Sequence, residues 1–281
     1  MVVKRLPLLL LLLIALTGCA VVRGDGVTRI ALLAPFEGRY REVGYDMLYA
    51  ARLGLAESDI TGIELLAVDD GGDTLHAADR ARALSQNPTV AGVILVGITA
   101  TAIDVQEALT APTLIVGHWG AEPASANIYM LSHPDQNALF TVPGDIAVTD
   151  AAAIEGQQTG SEIFGLKQFP DLRDDLTGIT VIANAVLPDA DFSERYINSD
   201  IFVDPPGLLV TLGYDAVQLM AQALQSDNPS GFIESGEFVG INGEFTFSNG
   251  YWSDAPIYFY RYSDAEPGEA VGLIIDPRNG E

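Results

Sequence analysis

"RIALLAPFEGRYREVGYDMLYAARLGLAE", residues 29–57, is the stretch on which the reading of this chain turns. After Arg29 the residues up to Ala34 are all apolar and stop at Pro35, whose ring fixes φ and removes a ladder donor, so a strand ends there. From 43 to 57 apolar side chains recur at the spacing of one helical face. The same rhythm continues downstream: a strand over 63–68 ("IELLAV"), an Ala-rich helix over 75–85 ("LHAADRARALS"), a strand over 90–96 and a helix over 102–109. Strands over 113–116 and 127–131 follow. Arg80 and Arg82 fall toward the end of their helix, where its dipole favours cations. Nearly continuous Val, Ile and Leu in the strands implies burial on both faces, hence a parallel sheet with helices above and below.

Beyond residue 131 the rhythm loosens. Strands are expected over 139–142, 162–164 and 179–185, in a stretch punctuated by Pro143, Pro170, Pro188 and the Pro205-Pro206 pair. A clear helix returns over 214–225 ("YDAVQLMAQALQ"). Residues 243–247 and 257–262 flank Asn249-Gly250, a hairpin signal, and together are expected to form a small β element. The organisation that results is a first α/β lobe over 28–133, a shorter second lobe over 134–206, and a return helix with a C-terminal β-hairpin on the first lobe over 207–281.

The N-terminal end reads differently. Lys4 and Arg5 precede an apolar run over 6–14, shorter than the roughly 20 residues a membrane-spanning helix needs, so residues 1–18 read as a signal peptide. Leu16-Thr17-Gly18-Cys19 resembles the bacterial lipobox, which implies acylation of Cys19, a tether over 19–27 and a lipid anchor facing the periplasm or the exterior. Cys19 is the only cysteine in 281 residues. No disulfide is available, and stability has to come from a packed core, which the 48% hydrophobic content can supply. Fourteen basic against 38 acidic residues, a net charge of −24, speaks against nucleic acid as a partner, because a phosphate backbone demands a basic surface.

In this order the segments resemble the type I periplasmic binding proteins, in the branch that serves branched-chain amino acid transporters. The opening stretch is similar to that family's first strand, ligand loop and first helix. "LLAVDDGGDTLHAADRARALSQNPTVAGVILVGITATA" is similar to the second strand with its terminal acid, the helix after it and the strand entering the first-lobe binding loop. "GYDAVQLMAQAL" resembles the helix that returns from the second lobe, and "GINGEFTFSNGYWSDAPIYFYRY" the closing hairpin. The family usually carries two further strand-helix units before a strand, loop and helix like "LFTVPGDIAVTDAAAIEG". Too few residues follow His118 to hold two such units at about 30 residues or more each, so the second lobe is abridged.

Ligands in an open parallel sheet sit outside the carboxyl ends of the strands. The loops so selected are Phe36-Glu37-Gly38-Arg39-Tyr40, Gly97-Ile98-Thr99-Ala100-Thr101, Gly117-His118-Trp119-Gly120 and Gly144-Asp145. Thr99 and Thr101 stand where the resemblance places a hydroxyl at a helix N-terminus, able to hold a carboxylate; the alternative is that Thr99 simply caps that helix. His118 and Trp119 either stack on a ligand or fill space. Glu37 and Asp145 suit an ammonium group and Arg39 an anion, each with surface charge as the alternative. Asp69, Asp70 and Asp73 lack the alternating ligands and distal glutamate of an EF-hand, and a strand-end turn with Asp73 or Thr74 capping a helix accounts for them better.

Enzyme signatures are missing from the sequence: no Gly-x-Ser-x-Gly elbow, no P-loop, no dinucleotide fingerprint. His76, His118 and His133 are not spaced for zinc. No catalytic residue, metal or cofactor is expected. The resemblance implies a lipid-anchored extracytoplasmic protein that hands a small solute, for example an amino acid-like one, to an ABC transporter permease. The alternative is a lipoprotein that keeps the fold without a ligand and docks an envelope partner, favoured by the abridged lobe.

Overall fold

A computed structural model describes residues 26–134, 146–149, 179–262 and 274–275. The opening stretch forms β1 (Thr28–Ala34), a 3-10 turn (Gly38–Tyr40) and α1 (Arg41–Glu57). The alternation then runs through β2 (Ile63–Asp69), α2 (Thr74–Gln86), β3 (Val90–Leu95), the short α3 (Ile103–Glu107), β4 (Thr113–Val116) and β5 (Ile128–Leu131). After these come β6 (Ile146–Thr149), β7 (Ile179–Ala183), α4 (Ala190–Ile197), α5 (Val210–Ala223) and α6 (Pro229–Ser235). Short strands close the chain: β8 (Val239–Gly240), β9 (Gly243–Glu244), β10 (Phe247–Ser248), β11 (Tyr251–Trp252), β12 (Tyr258–Tyr262) and β13 (Ile274–Ile275).

A seven-stranded sheet has the order β10-β11-β5-β4-β3-β1-β2, with β1 to β5 all parallel. Every residue from Ile30 to Ala34 is fully buried. Since consecutive side chains point to opposite faces of a strand, both faces of β1 are covered. α1 and α5 pack against each other beside β1, and α2 and α3 form a second helix pair. Strand order reverses at β1, with β2 on one side and β3 on the other, so the crevice between the loops after β1 and β3 is the topological switch point.

A second, smaller sheet has the order β13-β12-β7-β6, with β6 parallel to β7 and β12 antiparallel to it. The architecture is therefore α/β in two lobes, the second shortened. Three features depart from expectation. Residues 146–149, expected in a helix, are the strand β6: Ile-Ala-Val-Thr is rich in β-branched residues and finds a parallel partner in β7. The 243–262 tail is divided between the lobes. β10 and β11 form the expected hairpin and extend the first sheet beside β5, whereas β12 crosses to pair with β7. Finally, α4, expected in the second lobe, packs on the first: Phe192 and Tyr196, one turn apart, join Ala50, Leu53, Val210 and Tyr214 in a separate apolar cluster. Helix α4 places both rings on one face, and the groove between α1 and α5 is the apolar surface within reach. Expected strands over 139–142 and 162–164 lie outside the described residues.

Three stretches of chain link the lobes, after β5, after β7 and before β12. Asn184, fully buried, joins all three. Its Oδ1 accepts from the His133 N–H at 3.3 Å and its Nδ2 donates to the Pro256 carbonyl at 2.8 Å. Beside it lies a buried polar network on α5. Asp215 accepts from the N–H groups of Ile241 and Asn242 and from Asn242 Nδ2, while Asn242 Oδ1 accepts from the Val186 N–H at 2.7 Å. Burial pushes the Asp215 carboxyl up, against the lowering effect of its donors. Each buried polar group here has a partner, as burial requires.

Candidate functional site

The loop after β1 is held by its neighbour. The Phe36 N–H donates to Asp69 Oδ1 at 2.8 Å, and Asp69 Oδ2 accepts from the Gly71 N–H at 2.9 Å. Asp70 is buried and accepts from the Gly72 N–H; burial pushes its carboxyl up. Asp73 caps α2, accepting from the His76 N–H at 3.0 Å. These three acids are thus spent on turn geometry, in line with the strand-end reading of their sequence. Glu37 is exposed, and Tyr40 is half-buried and packed on the core. The Arg39 side chain and Asp145 lie outside what the structure describes.

In the loop after β3, Gly97 takes φ +98°, and a Cβ there would come within 3.0 Å of Pro35 Cδ, so this loop and the first can approach only with glycine. The Thr101 N–H and hydroxyl both donate to the Gly97 carbonyl, at 3.1 and 2.9 Å. Thr101 is buried, and its Oγ is committed to its own loop rather than turned toward a ligand. Ala100 is fully buried. Thr99 is half-buried; it does not cap the next helix, because the N-cap of α3 is Ala102, with no side-chain bond. Helix α3 is five residues long and carries Asp104 in its first turn, a poor setting for a carboxylate.

Trp119 is 6% exposed, part of the main core, with Nε1 donating to the Val116 carbonyl at 2.7 Å. His118 is buried as well. Between the loop after β3 and that after β4 a cleft of 310 Å³ opens, lined by Ile98, Thr101, Ala102, Ile103, Gln106, Trp119, Gly120, Ala121 and Glu122. Of the expected residues it brings together Thr101, Trp119 and Gly120; Ala100, His118, Glu37 and Tyr40 stand apart from it. Sequence reading passed over Gln106 and Glu122. Gln106 is buried at the base, its Nε2 donating to the Thr101 carbonyl at 2.7 Å and its Oε1 accepting from the Ala124 N–H at 2.9 Å. A glutamine beside the buried Val105 on this short helix was the available signal.

No family profile matches this sequence, and no curated protein matches it. Solved structures do. An extracellular ligand binding receptor from Desulfohalobium retbaense superposes with a TM-score of 0.65 at 15% identity, covering 89% of this chain and 60% of the receptor. A solute binding protein of an ABC transporter from R. palustris, in complex with benzoate, gives 0.62 at 17%, covering 89% and 98%. The branched-chain amino acid transporter substrate binding protein from Streptococcus pneumoniae, in complex with isoleucine, gives 0.59 at 14%, covering 89% and 100%. Together with the sheet order and the three linking stretches, these likenesses define the fold: it is that of the type I periplasmic binding proteins.

Proposed function

We propose that this chain is an extracytoplasmic solute-binding protein, anchored by a lipid on Cys19, that captures a small solute and presents it to an ABC importer. The observation that carries the reading is the 310 Å³ cleft at the carboxyl ends of β3 and β4, faced by Trp119, Ile98 and Ile103. A cleft of this size, mostly apolar with a few polar groups, suits a small organic molecule. The superposing proteins named above include one bound to benzoate and one bound to isoleucine. The mechanism is non-covalent: the first lobe holds the solute, and the second closes across the stretches joined at Asn184.

A thermal-shift panel of amino acids, short peptides, sugars, nucleosides, aromatic acids and amines tests the reading. A ligand at 100 times its dissociation constant adds roughly 2.7 kcal/mol to stability. Silence across the panel from a folded protein would overturn it in favour of a second reading, a partner-docking lipoprotein. That second reading is favoured by Ile201 and Phe202, adjacent on the loop after α4 and 89% and 75% exposed, since paired large apolar side chains in water are a recognised mark of interaction surfaces.

A further inference from the structure

We infer that the cleft between the loops after β3 and β4 selects an organic cation with an apolar body, an alkyl- or arylalkylammonium ion, rather than a carboxylate; this rests on the solute-binding reading above. The argument is an account of every polar side chain that lines the cleft. The Thr101 hydroxyl donates to the Gly97 carbonyl. Both ends of the Gln106 amide are bonded to backbone, at Thr101 and Ala124. The Trp119 indole N–H donates to the Val116 carbonyl. Thr101 and Gln106 are also buried, each 1% exposed, so the side chains leave a ligand the apolar surface of Ile98, Ala102, Ile103, Ala121 and the indole, and one charged group, the Glu122 carboxylate.

Among the described residues no Lys, Arg or His lines this cleft. A carboxylate ligand would meet Glu122 there, and at the adjacent start of α3 it would meet Asp104. The net charge of −24 adds a field that attracts cations and repels anions. An ammonium head set against Glu122 gains a charge-assisted hydrogen bond, its apolar body covers Ile98 and Ile103, and an indole wall is itself attractive to a cation. Ile103 is 60% exposed, an apolar side chain left open at the rim where such a body would lie.

Isothermal titration calorimetry of the purified protein at low salt, with three probes sharing one ring, tests this: phenethylammonium, 2-phenylethanol and 3-phenylpropionate. Phenethylammonium is expected to bind about tenfold or more tightly than the other two, the range for one charge-assisted contact. High salt should narrow that preference. Glu122→Gln should bring the ammonium down to the affinity of the alcohol without shifting thermal unfolding, while Ile103→Ser should weaken all probes together. Tighter binding of the carboxylate, an affinity for the ammonium that Glu122→Gln leaves unchanged, or no ammonium binding up to millimolar concentration each overturn the inference. Carboxylate binding would leave the solute-binding reading standing, whereas silence in both the titrations and the thermal-shift panel would remove the two together.

Discussion

Asn184 donates from Nδ2 to the carbonyl of Pro256 at 2.8 Å, across 72 positions of sequence. The bond joins the stretch that leaves β7 to the stretch that enters β12, and the same side chain accepts from His133 on the stretch that leaves β5. One fully buried amide therefore holds the chain at each of its three passages between the sheets.

Asn184→Ala is expected to leave the His133 N–H and the Pro256 carbonyl without this partner and to lower stability by about 1 to 3 kcal/mol, the cost of orphaning buried polar groups. Asn184→Asp keeps an acceptor for His133 but presents oxygen to the Pro256 carbonyl, so it should recover little. Urea unfolding measures both, and hydrogen exchange should show faster exchange at residues 131–134 and 183–186. Stability equal to wild type would show that the bonds carry no net weight.

Asp46, half-buried on α1, is pushed up from 3.8 to about 7, first by burial and then by the charges of Glu42 and Asp204, against the lowering Tyr196 hydroxyl and Gly207 N–H. The folded chain thus holds this proton more tightly than the unfolded chain does. Its stabilising contribution is complete below the unfolded pKa and is lost as pH rises through the folded one; above that window the folded state carries a cost on the order of 4 kcal/mol. Asp46→Asn keeps one acceptor oxygen at this position and removes the charge. It should stabilise the protein at about pH 8, have little effect at about pH 4, and flatten the stability profile between them. Parallel profiles for variant and wild type would contradict this.

Gly54 lies where α1 crosses α5. A Cβ there would sit 2.6 Å from Val217 Cγ1 and 2.8 Å from the Tyr214 carbonyl oxygen, and a backbone oxygen cannot swing away as a side-chain tip can. Helix propensity alone predicts that Gly54→Ala stabilises by about 1 kcal/mol. The close crossing reverses the sign: overpacking should produce a net loss of about 1 to 3 kcal/mol, readable by thermal or urea unfolding. A stabilised variant would show that the helices separate at little cost.

Cys19→Ser removes the thiol on which the anchor is proposed. Expressed in a bacterial host, wild type should partition with membranes and take up labelled palmitate, while the variant should be found in the soluble exported fraction without label. Membrane partitioning of the variant equal to that of wild type would contradict lipidation at this position.

Where side chains repeat with a strong local period, reading and structure agree closely. The strand over 113–116 is β4 residue for residue, and α1, α2 and β3 start and stop within two residues of their expected ends. Burial on both faces makes β1 apolar at every position from Ile30 to Ala34, so the parallel sheet is written into its composition. A cap at Asp73 or Thr74 was legible for a similar reason, since a side chain bonding three residues ahead is local chemistry, and the structure uses Asp73.

Other features depend on contacts between segments remote in sequence. Pairing of β12 with β7 rather than with the β10–β11 hairpin, and the seating of α4 on α1 and α5, are choices among apolar surfaces that look equivalent along the chain. The site shows the same division. Loop positions follow from strand ends, and of the residues named on them Thr101, Trp119 and Gly120 line the cleft. Whether a hydroxyl, an amide or an indole N–H is free for a ligand depends on which carbonyl lies within about 3 Å of it, and folding alone brings those carbonyls there. Thr101 satisfied by Gly97, Trp119 by Val116, and Gln106 bridging Thr101 and Ala124 were therefore decided in three dimensions, and with them the character of the cleft.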